Sequence, residues 1–173
     1  MPSKILNFSA LLVIVPALIL MPLASACATS GGYSPWFQIE GNVDHPTTIR
    51  LKDLRALPQT SANIYFNTGS GPVSSKFTGA LLWDLLQKVG IKTDPNIKND
   101  ILRKLIIVRA TDGYTVSTTA GELAPQFGGQ QVIVAYEQDG KLLGPDSGFA
   151  RLVFPGDKAG GRAISWVKSI KVY

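Results

Sequence analysis

The 173-residue chain carries 17 basic and 12 acidic side chains, a formal net charge of +5, and 45% apolar residues, the size and make-up of one packed domain with a short leader. A single cysteine excludes an intrachain disulfide, and one histidine beside Pro46, with no cysteine after residue 27, argues against a zinc site. Basic residues form no block and do not alternate with aromatics, which argues against a nucleic-acid partner and leaves a small anionic ligand or an anionic membrane surface.

Lys4, an apolar run over 10–23 and Ala24-Ser25-Ala26 have the layout of a bacterial secretory signal, so residues 1–26 are expected to be a cleaved signal peptide. The run falls short of the ~20 residues a membrane span needs and contains Pro16 and Pro22. Cys27 follows at once. The stretch Leu23-Ala24-Ser25-Ala26-Cys27 resembles a lipoprotein signal, although the leucine preferred three places before the cysteine is here Ala24. Export is expected either way, to the bacterial periplasm or to a membrane surface through a lipid anchor on Cys27. Processing removes Lys4 alone among the charged residues, so the mature chain stays mildly basic. Residues 27–35 then form a tether and 36–173 the domain.

Residues 36–40 alternate and read as a first strand, with a second β-branched run over 47–51. His45 lies in the turn between them, the ordinary place for a solvated histidine. Leu51, Leu54 and Leu57 predict a helical turn or two before Pro58. A strand is expected over 62–66, emptying into a loop, 67–72, whose small residues let a ligand approach the backbone. Leu81, Leu82, Leu85, Leu86 and Val89 predict a core-packing helix over 80–89, stopped by Gly90. A polar stretch follows over 92–100. Strands over 102–111 and 114–119 flank the Asp112-Gly113 turn, and a helical turn at 120–123 runs to Pro125. The last stretch offers strands at 132–136 and 152–154, the Asp139-Gly140 hairpin signal, a basic Gly-rich loop from Lys158 to Arg162, and a final strand containing Trp166. About eight short strands and one good helix, without regular alternation, predict a mixed α+β domain with a curled sheet. Cations beside glycines in the last loop are suited to hold an anion, or equally to keep an edge strand unpaired.

The motifs of that stretch carry a resemblance. Ala135-Tyr136-Glu137, Pro145-Asp146-x-Gly148, Arg151-Leu152-Val153-x-Pro155-Gly156 and Gly161-Arg162-x-x-x-Trp166-Val167-Lys168 resemble the molybdopterin-binding domain of sulfite-oxidase-like oxidoreductases. The likeness is greatest to small, stand-alone, exported members. Thr78-Gly79-x-x-Leu82, Asp112-Gly113-Tyr114 and Glu122-Leu123-x-Pro125 extend it upstream over 36–173. The resemblance implies a sulfite-oxidase-type α+β fold and a site in which Arg151, Arg162 and Lys168, with Gly161, hold the phosphate of a molybdopterin. It also implies that Tyr136 matches a tyrosine near the metal of catalytic relatives. In the loop where those relatives ligate molybdenum with a cysteine, this chain has Phe66-Asn67-Thr68-Gly69, and an asparagine amide is a poor replacement for a soft thiolate. Ser147 stands where the family has a histidine, and the segment Gly148-Phe149-Ala150-Arg151 is one residue shorter than in larger members.

Molybdopterin or another anionic ligand is therefore the expected cofactor, with molybdenum in doubt. Three readings remain open: a binding module without conventional molybdenum chemistry, an oxidoreductase with atypical ligation, and an anchored subunit that meets a redox partner protein without cofactor. Carboxylates such as Asp112, Glu122 and Asp146 sit in turn and cap contexts, where hydrogen bonding is their ordinary work.

Overall fold

The computed structural model describes residues 31–69 and 71–173; the expected signal peptide, Cys27 and the first part of the tether lie outside the described residues. The chain order is β1 (Phe37–Gly41), β2 (Thr47–Ile49), α1 (Leu51–Arg55), β3 (Gln59–Thr68), β4 (Gly71–Leu81) and α2 (Leu82–Val89). Then come β5 (Leu105–Ala110), β6 (Thr115–Thr119), α3 (Ala120–Leu123), β7 (Ile133–Gln138), β8 (Lys141–Leu142), β9 (Arg151–Val153) and β10 (Val167–Val172). The mixed, sheet-rich fold is the one expected.

The strands divide between two open sheets. The first runs β2-β1-β10-β5-β6, with β1 and β10 parallel and the other neighbours antiparallel. The second runs β3-β4-β7-β8, and β9 shares the edge of β7 that β8 occupies. A large core fills the space between them. It includes Phe37, Ile39, Val108, Ile170 and the buried stripe Leu82, Leu85, Leu86 and Val89 of α2. Removing so much apolar surface from water is what holds the two sheets together. Phe37 stacks on Phe149 with ring centroids 5.7 Å apart, tying β1 to the turn that feeds β9. The other face of the second sheet carries a smaller cluster: Ile64, Phe66, Phe77, Ile133, Ala135 and Val153.

Three expected boundaries are corrected. Ala80 and Leu81 are strand, not helix: Ala80 pairs with Val134 and Leu81 with Ile133, and α2 begins only at Leu82. The 62–66 strand extends to Gln59–Thr68, and the polar segment after it is a second strand, so most of the expected 67–72 loop is hairpin ladder. Trp166 lies outside the last strand. Its backbone is left-handed at φ 50°, which ends the extended run before Val167. At Asp139-Gly140 the hairpin is as expected, both residues having positive φ, 51° and 76°.

Candidate functional site

The basic Gly-rich loop crosses the end of β3. Asn67 N–H donates to the Lys158 carbonyl at 3.2 Å, and Asn67 bridges Ala159 in parallel register. A Cβ on Gly160 would lie 2.7 Å from the Phe66 ring, so the backbone reaches that ring only because residue 160 has no side chain. On the loop's other side Tyr114 donates its hydroxyl to the Gly161 carbonyl at 2.8 Å. These contacts bring Asn67 and Gly161, remote in sequence, around one hollow of about 470 Å³ lined by Asn67, Thr68, Gly69, Ala159, Gly160 and Gly161. The side chains around it offer an amide and a hydroxyl. Among the described residues no group of three His, Cys, Asp or Glu side chains comes together.

The two arginines differ. Arg162 is half-buried and already paired: its Nε donates to Asp157 Oδ2 at 2.8 Å and its Nη2 to Oδ1 at 2.6 Å. The guanidinium lies 4.1 Å above the Phe154 ring. The Asp157 hydrogen bonds push its pKa up, with Glu122 adding a weaker pull. Arg151 projects from β9 opposite Ala135, on the face of the smaller cluster, with its guanidinium 5.4 Å over Phe77. Its Nε is buried without a hydrogen-bond partner among the described residues. Burial alone pushes its pKa down. Arginine nonetheless stays charged in proteins, so this is a partly desolvated cation with no counter-charge among the described residues.

Tyr136 and Lys168 do not join these groups. Tyr136, 3% exposed, belongs to the large core on the opposite face of the second sheet, 5.6 Å beneath Arg55. Burial, then the Glu137 charge, raises its phenol pKa. Arg55 also pairs with Glu137 at 3.2 Å. Lys168 is exposed on β10, in the first sheet. Ser147, at the expected histidine position, accepts the Trp166 N–H on its carbonyl at 2.7 Å, and Trp166 Nε1 donates to the Pro145 carbonyl at 2.6 Å. The left-handed Trp166 thus clamps the Pro-Asp-Ser-Gly turn.

Sequence reasoning missed Asp157, Phe77, Phe154 and Tyr114, which govern the two arginines and the loop. Only Asp157 left a signal: an acid inside an otherwise basic Gly-rich segment, within reach of Arg162.

The fold is of the sulfite-oxidase type. Residues 34–173 match the family model described as the oxidoreductase molybdopterin binding domain, and the chain belongs to that family. It is similar to a nitrate reductase [NADH] of Volvox carteri, 32% identical over 168 residues, covering 80% of this chain and 19% of that protein. It is also similar to the uncharacterized oxidoreductase YuiH of Bacillus subtilis (strain 168), 27% identical over 121 residues, covering 68% of this chain and 55% of the other. The chain thus spans about a fifth of the nitrate reductase and about half of YuiH. Among solved structures, the sulfane dehydrogenase SoxCD of Paracoccus pantotrophus shares the fold, with a TM-score of 0.65 and 21% identity over 80% of this chain and 38% of that one.

Proposed function

We propose that this domain binds the phosphate-bearing end of a pterin-type cofactor, outside the cytoplasm, without conventional molybdenum chemistry. The observation that carries the reading is Arg151. A half-buried guanidinium with an orphaned Nε and no carboxylate beside it among the described residues is costly in the free protein and matched to an anion in the bound one. The adjoining architecture agrees in kind. The guanidinium lies over the Phe77 ring, and Gly160 lets the loop backbone lie against Phe66 at the margin of the same cluster. A planar donor fork is suited to phosphate oxygens.

When bound, such a cofactor supplies its dithiolene for a metal; the residues here act on its anionic end. The fit stops at the metal. Asn67 and Thr68 present hard oxygen and nitrogen donors where a soft thiolate is needed, and no thiol follows Cys27 in the sequence. Tyr136 faces the large core, away from the cluster that Arg151 borders. Its chemistry is therefore that of a packed phenol beneath Arg55. Export rests on the leader-like residues 1–26 and anchoring on Cys27; a redox partner protein belongs to the alternative reading, an anchored subunit without cofactor.

The test is to express the full chain in a bacterium that makes molybdopterin and to measure pterin and molybdenum per purified chain. The expected result is bound pterin with molybdenum far below one per chain. Stoichiometric molybdenum would overturn the thiol-free reading, and absence of both would overturn cofactor binding. Fractionation of wild type and Cys27→Ser checks the anchor: release of the variant from membranes supports it, and equal solubility of both sinks it.

A further inference from the structure

Arg162 has a companion that the cofactor reading does not use. Asp157 grips it through two hydrogen bonds of 2.6 and 2.8 Å, the planar fork-on-carboxylate geometry that a ligand's phosphate would itself adopt. The cation is fixed from other sides as well. It lies over the Phe154 ring, 4.1 Å from its centre, and Glu122 adds a favourable charge interaction. The acid, by contrast, sits in a short segment bounded by Gly156, whose φ is 93°, and Gly160. Two of the guanidinium's five donors are engaged by Asp157, leaving the rest of the fork for other acceptors. Between the two in sequence, Ala159, Gly160 and Gly161 line the hollow at Asn67, while Asp157 and Arg162 lie beside it, outside its lining.

We propose that Asp157 is a specificity-determining residue of this site: its carboxylate holds the Arg162 fork in the place of a ligand's phosphate, so that binding exchanges one anion for another. This rests on the reading given under Proposed function and adds its selectivity. A carboxylate brings one charge and two oxygens; a phosphate group brings about −1.5 to −2 and three oxygens. Singly charged anions therefore gain little by displacing Asp157, and multiply charged phosphate groups gain most. The displaced carboxylate turns to water at the loop surface, while Arg162 keeps its place on Phe154.

The probe is inorganic pyrophosphate, titrated calorimetrically into the full chain. Asp157→Asn, which removes the competing charge, is expected to bind about tenfold tighter than wild type, and Asp157→Glu to show no gain. Adding Arg162→Ala to Asp157→Asn should erase the gain. An unchanged or weakened affinity in Asp157→Asn, or no binding to either protein, overturns the proposal. So does a gain that persists without Arg162. Should Asp157→Asn fold poorly, the wild type decides: the Arg162 Nε–H resonance must shift as pyrophosphate binds, and a fixed resonance alongside calorimetric binding overturns the idea. Arg151→Met separates the two readings. Pyrophosphate affinity unchanged by Arg151→Met, with the Asp157→Asn gain intact, would cost Arg151 its place as the anchor and leave the exchange at Arg162 standing. Binding that needs Arg151 but ignores Asp157 would do the reverse.

Discussion

Arg151 and Arg162 lie in neighbouring motifs, each over the face of a phenylalanine, yet their electrostatic states are opposite. Arg151 has lost water and gained no acid, so burial pushes its pKa down. Arg162 has lost less water and gained Asp157, so its pKa rises. The lesson is that a cation's place in a motif says little until its counter-charge is found. One arginine is tied to an acid of its own loop; the other has no acid partner among the described residues.

The most direct way to break this contrast is Arg151→Met, which keeps an apolar stem over Phe77 and removes the charge. Pyrophosphate affinity should fall roughly 10- to 100-fold, the loss of one or two charge-assisted hydrogen bonds. In the free protein the same change should raise stability by about 1 kcal/mol, because an orphaned buried donor disappears. Calorimetric titration and the denaturant midpoint read the two effects. A drop in stability would mean that the guanidinium has a partner after all.

Gly160→Ala tests the loop without touching either arginine. The new Cβ would meet the Phe66 ring at 2.7 Å with Thr68 close behind, so the loop must lift or the ring must turn. Overpacking of this kind costs roughly 1–3 kcal/mol, measurable by chemical denaturation. Tyr114 fluorescence should change too, because lifting the loop breaks its bond to the Gly161 carbonyl. Stability within a few tenths of wild type would show that the loop does not rest on Phe66.

What the residues alone could reveal follows the range of the forces involved. The Asp139-Gly140 turn and the buried stripe of α2 are set by local backbone preference and by periodicity, and both were legible. Strand β4 was not. Pro72 fell within the expected loop and no strand was expected over 73–79, yet this strand lies between β3 and β7, and Gly79 must lack a Cβ because the Val134 carbonyl is 2.2 Å from where one would be. Its strand character comes from neighbours distant in sequence. The same holds for the site. The family likeness pointed to both arginines, but whether either is free depends on contacts that no spacing rule encodes. Tyr136 shows the converse: its motif is intact, and the opposite face of the sheet claims its side chain.

The smallest expected effect sharpens the contrast from the acid side. Glu122 sits near Arg162, yet its carboxyl is held below its ordinary value of 4.5 chiefly by the Thr118 hydroxyl, at 2.5 Å, then by the Thr119 N–H, with Arg162 ranking behind. A lowered carboxyl pKa contributes stability that is fully present above the ordinary value and is lost as pH falls through 4.5 toward the folded value. Denaturant midpoints followed from pH 7 to pH 3 should therefore fall less steeply in Glu122→Gln than in wild type. Thr118 is buried and valine has nearly its shape, so Thr118→Val isolates the hydroxyl with little change in packing. That variant should flatten the acid limb more than Arg162→Ala does. If Arg162→Ala flattens it more, Arg162 rather than Thr118 is the principal partner of the Glu122 carboxyl. The distinction between a self-satisfied and an orphaned arginine would then have to be redrawn around α3.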